Sequence, residues 1–246
     1  MLQVAICDDE IAELEHTRAL TADYFARRPE VDAHIRHFQS SYDLMGCIKD
    51  RGRFDLYLLD CIMPVMDGIE LGRFIRETDP NAVIVYLTSS EDFAVSSYRV
   101  KALDYLLKPV SAEDLEPVLA EAVRRMELDV AQALPVRTRS GVAAVPPSTL
   151  MYVEALNRVY FYHMADGRVV ESISLRESFD TVLAPLLSDG RFYRAAASFL
   201  VNLLYTDKLS ADGFTMRDGR TLPLSRGSHA RAQGVYLDFL LAHGRG

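Results

Sequence analysis

The sequence predicts two units: an α/β doubly wound (βα)5 domain at residues 1–128 and a mainly β domain at residues 138–246, with a linker at 129–137. Three observations predict this. Strand-like and helix-like periods alternate five times in the first half of the chain, and the strands are apolar on both faces, as a parallel sheet covered by helices requires. The alternation stops near Asp129, where Pro135, Pro146 and Pro147 interrupt any helical period. Charge divides at the same place. Residues 1–130 carry 14 Lys/Arg against 25 Asp/Glu, a net of −11, and residues 131–246 carry 13 against 10, a net of +3.

The elements follow in order. Residues 2–7 form a short apolar strand, and 11–26 a helix with Leu14, Ala22 and Phe25 among its apolar positions. A second strand is expected at 33–38 and a second helix at 42–49. The run DLYLL (55–59) reads as a buried strand, and 68–76 as an amphipathic helix carrying Ile69, Phe74 and Ile75. AVIVYL (82–87) gives strand four, 93–100 a weak helix, 102–107 strand five and 112–127 a last helix. In the second half, strands are expected at 150–153, 159–163, 169–173, 198–204, 213–216 and 221–224. The last two flank Arg217-Asp218-Gly219-Arg220, a hairpin signal. Helices are expected from Ser174 or Leu175 to Pro185 and at 234–242.

Composition narrows the function classes. The chain is 49% hydrophobic and 25% charged, which suits a globular protein, and its apolar runs are too short and too broken to span a membrane. Asp8, Asp9 and Glu10 interrupt the first apolar stretch, so it is not an export signal, and a cytoplasmic protein is expected. Cys7, Cys47 and Cys61 are odd in number and lack CxxC spacing, so reduced thiols are expected rather than disulfides or zinc. A mildly basic second half permits nucleic-acid binding without requiring it.

In an open parallel sheet, functional groups gather beyond the carboxyl ends of the strands. Asp8 and Asp9 end strand one, Asp60 strand three, Thr88 strand four and Lys108 strand five, ahead of Pro109. Crowded carboxylates repel unless a cation compensates, and Mg²⁺ suits an oxygen-only site. Asp60 is the central acceptor for a phosphoryl group, with Lys108 and Thr88 facing the phosphoryl oxygens. Taken singly, each residue has a plain structural reading. An acidic pair can simply cap a helix, a Lys-Pro can be a turn, Tyr105 can be strand packing, and Cys7 and Cys61 are buried small hydrophobes.

Together, VAICDDE (4–10), DLYLLDCIMPVMDGIEL (55–71), YLTSS (86–90) and DYLLKP (104–109) resemble the receiver domain of bacterial response regulators over about residues 1–125. The resemblance implies that Asp60 accepts the phosphoryl group from a sensor histidine kinase. It implies that Asp9, Asp60 and the Ile62 carbonyl hold Mg²⁺, with Asp8 assisting through water. Thr88 and Lys108 would be the phosphate partners, and Tyr105 the switch aromatic.

The second half, over about 138–243, resembles the LytTR-type DNA-binding domain. The resemblance rests on LMYVEALNRVYFYHMADG (150–167), SLRESF (174–179), RFYR (191–194), SFLVNL (198–203) and TMRDGRTLPLSR (215–226). It implies a DNA-binding, mainly β output domain that dimerises on phosphorylation or on paired DNA repeats. Arg226 matches a position used near DNA. Arg194, Arg217 and Asn202 are further candidates, together with Arg220 and Arg231 by residue type, although Asn202 also reads as structural. One position departs from the pattern, because Ala196 stands where the family carries a histidine able to contact DNA. The chain is therefore expected to be a phosphorylation-switched transcription regulator, not an enzyme beyond its own aspartyl phosphorylation and dephosphorylation. The rival reading is a switched protein-interaction module whose second domain binds DNA poorly. A small-molecule aspartyl-phosphate hydrolase is disfavoured, since no second acid/base group or substrate cap is apparent.

Overall fold

A computed structural model of the chain describes residues 2–89 and 102–243. The helix expected at 93–100 and Ser90 of the YLTSS stretch lie outside the described residues. The chain divides into two units, Met1–Leu128 and Asp129–Gly246.

In the first unit, strands β1 (Leu2–Cys7), β2 (Ala33–Phe38), β3 (Leu56–Asp60), β4 (Val83–Thr88) and β5 (Asp104–Leu107) form a sheet of order β2-β1-β3-β4-β5. Every pairing is parallel. The period-2 alternation of the strands sends residues to two cores. Val4, Ile6, Leu56, Leu58, Val85 and Leu87 face one side, where α1 (Ile11–Ala26) and α4 (Ala112–Ala131) contribute Leu14, Leu115 and Leu119. Ala5, Cys7, Tyr57, Leu59, Ile84 and Tyr86 face the other, covered by Leu44 of α2 (Ser41–Arg51) and by Ile69, Leu71 and Ile75 of α3 (Gly68–Thr78). The doubly wound (βα)5 expectation is met in sheet order, direction and two-sided burial. The order reverses between β1 and β3, so these two strand ends open the crevice in which such folds bind ligands.

The second unit is mainly β. Strands β8 (Leu150–Leu156), β9 (Val159–Met164), β10 (Val169–Glu171), β11 (Phe192–Ala196) and β12 (Phe199–Asn202) make an antiparallel sheet of order β10-β9-β8-β12-β11. One face packs on hairpin β6 (Leu134–Thr138) and β7 (Gly141–Val145) and on two single-turn helices, α5 (Phe179–Val182) and α6 (Ala184–Leu187). The other face packs on β13 (Thr206–Ser210), β14 (Gly213–Met216), β15 (Thr221–Leu222) and α7 (His229–Ala242).

Several expectations need correction. Residues 129–137 are not a free linker: they hold the last turn of α4 and most of β6. In β6, Leu134 and Val136 are buried while Pro135 and Arg137 are exposed, so the proline occupies a solvent-facing position on a two-stranded ribbon. The helix expected to run to Pro185 is two short turns. Ser178 caps the first by accepting from Thr181 N at 3.2 Å, and Pro185 sits at the start of the second, where its missing N–H costs nothing. The terminal helix starts at His229, not at 234, because Ala232, Tyr236 and Phe239 share one buried face across Gly234. Strands β11 and β13 carry no sequence signal strong enough to have been expected.

Candidate acidic pocket and its surroundings

The pocket is assembled from strand ends. Asp8 follows β1 and is 1% exposed, Asp60 closes β3 at 4%, and Thr88 closes β4 at 0%. Oxygen atoms of Asp8, Asp9 and Asp60 lie within 4.8 Å of one another. Lys108, one residue beyond β5, reaches into this group. Its Nζ is 2.8 Å from Asp8 Oδ2 and 3.2 Å from Asp60 Oδ1, and its backbone N–H donates to Thr88 O at 2.8 Å. One ammonium therefore serves two of three carboxylates. The third keeps an unmet demand: Asp9 Oδ1 is buried and has no hydrogen-bond partner.

The titration of the pocket follows from this arrangement. Burial pushes Asp60 up to about 6, against the pull of Lys108 and with the push of Asp8, while a hydrogen bond from the Ile62 backbone lowers it. Burial also works against the Lys108 ammonium, but hydrogen bonding to Asp8 and the charges of Asp60 and Asp8 outweigh it and hold its pKa above the ordinary value. A carboxyl whose folded pKa lies above its unfolded one stabilises the fold only when protonated, and that stability is lost as pH rises through the window from about 4 to about 6. At neutral pH the penalty is about 3 kcal/mol before any cation binds. Metal-free Asp60→Asn is accordingly expected to melt several degrees above the wild type at pH 7, and the gap should shrink toward pH 4. Calorimetry at the two pH values checks this.

The loop after Asp60 is fixed from below. Ser41 Oγ donates to Met66 O at 2.8 Å, and Met63 Sδ lies 3.6 Å from the Cys7 thiol. Gly68 opens α3 directly over β3, with its N–H on Cys61 O at 3.0 Å. Asp67 caps that helix by accepting from Glu70 N at 2.7 Å. Ile62 is half exposed at 47% and supplies the backbone N–H already described to Asp60.

Tyr105 is partly buried against the core cluster that contains Cys61 and Tyr86. The Cys61 thiol hydrogen-bonds with both Thr88 and Tyr105, a connection that sequence reasoning missed. Its signal was only a cysteine following the central aspartate. Burial pushes Cys61 and Cys7 up to about 12, so both stay thiols and neither is a nucleophile.

In the second unit the arginines expected at DNA differ sharply. Arg226 is exposed and, among the described residues, has no ion-pair or hydrogen-bond partner. Arg194 is committed inside the unit: it pairs with Asp180, lies 5.2 Å over the Phe179 ring and donates to Ala196 O and Ala197 O. Arg217 is half-buried beside the Tyr205 ring at 6.0 Å, and Arg231 is exposed on α7. Asn202 must be withdrawn as a DNA contact. It is 0% exposed, donates to Leu150 O at 2.9 Å and accepts from Leu204 N at 3.0 Å, pinning the turn at Leu203–Tyr205. Ala196 is half-buried at the bulge of β11, and Ala195 O accepts from Ser225 N at 2.9 Å, which brings position 196 next to the segment carrying Arg226.

Residues 4–120 match the family model of the response regulator receiver domain. The chain is 25% identical over 245 residues to the transcriptional regulatory protein BtsR of Escherichia coli strain K12, covering 92% of this chain and 95% of that protein. It is 25% identical over 183 residues to the positive alginate biosynthesis regulatory protein of Pseudomonas aeruginosa, covering 69% and 72%. A crystal structure of a response regulator receiver domain protein from Clostridium thermocellum matches at 24% identity and a TM-score of 0.45, over 52% of this chain and 98% of that one. Among the described residues no helix is long and apolar enough to cross a membrane.

Proposed function

Because residues 4–120 of this chain are a response regulator receiver domain, we propose that phosphorylation of Asp60 by a sensor histidine kinase switches DNA binding by the mainly β unit, and with it transcription. The observation that carries the first half is the pocket itself: of three clustered carboxylates, Asp8 and Asp60 share one lysine, and Asp9 Oδ1 is left without a partner. The all-oxygen donor set and the orphaned oxygen fit Mg²⁺, held by Asp9 and Asp60 with the Ile62 carbonyl, and with Asp8 acting through water. When bound, the ion would neutralise charge on the transferred group.

The chain's own residues do the rest. Asp60, titrating at about 6, is mainly ionised at neutral pH, so a carboxylate oxygen is free to attack phosphorus as the donor's leaving group departs. Lys108 compensates the incoming oxygens. The Thr88 hydroxyl exchanges its Cys61 contact for a phosphoryl oxygen, and Tyr105, bound to the same thiol, reports the exchange. Apart from this self-modification the chain is not an enzyme.

DNA binding is supported by the names of the relatives, which describe regulators of transcription and of alginate biosynthesis, and by Arg226 standing exposed without a partner. The rival, a protein-docking output unit, is favoured by Ala196 and by the net of only +3. Selection from a random duplex pool at low salt separates the two. The DNA reading expects enrichment by the wild type, a loss of roughly ten- to a hundredfold on Arg226→Ala, and a gain on Ala196→His, since one good contact is worth about 1–3 kcal/mol. No enrichment by either wild type or Ala196→His would hand the assignment to the rival.

A further inference from the structure

Strands β8 and β9 set Tyr152 opposite His163 and Glu154 opposite Phe161. Tyr152 and Glu154, two residues apart, therefore share one face with His163. The two rings stack at 4.2 Å with 18° between their planes. Onto this face comes the turn between β14 and β15. Asp218 accepts from Tyr152 Oη at 3.0 Å, Arg220 pairs with Glu154 at 2.7 Å, and the Arg220 guanidinium lies 5.6 Å over the Tyr152 ring. Burial first, and then the charge of Arg220, hold His163 below its ordinary pKa, so it is neutral at pH 7 and leaves Glu154 to Arg220. Gly219, at φ 83°, gives the turn its left-handed residue, and Met216 N donates to Arg220 O at 2.8 Å to close it.

The turn is thus bound at two side chains to a different sheet from the one it connects. We propose that Tyr152 and Glu154 are positioning residues that clamp the β14–β15 turn, and with it the segment beyond β15 that carries the exposed Arg226, in the orientation used to meet DNA. Arg220 is a member of the clamp and not a DNA contact. This rests on the reading of the second unit as DNA-binding. An isolated half-exposed ion pair would contribute little. Here the ion pair, the tyrosine–aspartate bond and the guanidinium over the ring restrain the same four-residue turn, so losing one loosens the others.

The test uses the full chain as wild type, Glu154→Gln, Arg220→Gln and the double variant. Amide hydrogen exchange without DNA should show faster exchange at residues 217–220 in each variant, with the β8–β12 pairing unchanged. Affinity for a random duplex pool should fall roughly tenfold in each single variant and no further in the double, as expected for two residues acting through one contact. The salt dependence should keep its slope, because no phosphate contact is lost. Unchanged exchange at 217–220 in Glu154→Gln overturns the clamp. Additive losses, with a slope reduced by about one in Arg220→Gln, make Arg220 a phosphate contact and overturn the assignment. If the wild type binds no DNA, the role given to the clamp falls with the DNA reading, while the exchange data still decide whether the clamp exists.

Discussion

With Mg²⁺ and a small acyl phosphate, the wild-type chain is expected to take up one acid-stable, base-labile phosphoryl group, and Asp60→Asn none. The amide is nearly isosteric, so the fold survives, but it offers no anionic oxygen to phosphorus. Asp8 cannot substitute, since both of its oxygens are engaged, Oδ2 by Lys108 at 2.8 Å and Oδ1 by the Glu10 N–H at 3.0 Å. Asp9→Asn should slow labelling strongly while still permitting it, because it removes the charge of a carboxylate whose buried Oδ1 has no hydrogen-bond partner inside the protein. Intact-mass spectrometry reads both. Equal labelling of Asp60→Asn would place the acceptor elsewhere.

Gly68→Ala is expected to be severely damaging to the first unit. A Cβ built on Gly68 would stand 2.0 Å from Asp60 O and 2.9 Å from its carbonyl carbon. Both are backbone atoms at the end of a buried strand, so no rotamer change relieves the clash, and α3 must lift off β3. The cost should be about 3 kcal/mol or more. Because the displaced atoms belong to Asp60, labelling should slow as well as stability fall. Gly46→Ala inside α2 is the control: nothing lies within 4 Å of its Cβ, and the better helix former should stabilise by up to about 1 kcal/mol. Urea melts of the two variants should move in opposite directions.

The first unit was legible because its central strands are buried on both faces, so VAIC, LYLL and VIVYL read as continuous apolar runs, and each charged site residue interrupts its run at the strand's end. The clustering of Asp8, Asp60 and Lys108 follows from parallel direction alone. What the sequence hid was contact detail: Cys61 joining Thr88 to Tyr105, and Gly68 lying against the Asp60 carbonyl. Neither leaves a pattern in a single chain. The second unit was less legible for a physical reason. Its strands are short, its alternation is broken by bulges at Arg194/Ala196 and Thr206/Lys208, and Pro135 and Pro185 mark positions where proline is tolerated rather than where elements stop. Residue type alone also misjudged the arginines. Arg194 and Arg226 look alike in the sequence, yet one is tied to Asp180 and the other is open to solvent.

The central claim is that charge on Asp60 is converted into DNA affinity. The most direct measurement is the affinity of the full chain for its selected duplex at one fixed salt concentration, with Mg²⁺, in the presence and absence of beryllofluoride as a phosphoryl mimic. The account predicts tighter binding with the mimic by roughly five- to a hundredfold, the usual range of coupling between two sites, and no change in Asp60→Asn. Equal affinity of the wild type with and without the mimic, on a protein shown to have bound it, would contradict the account.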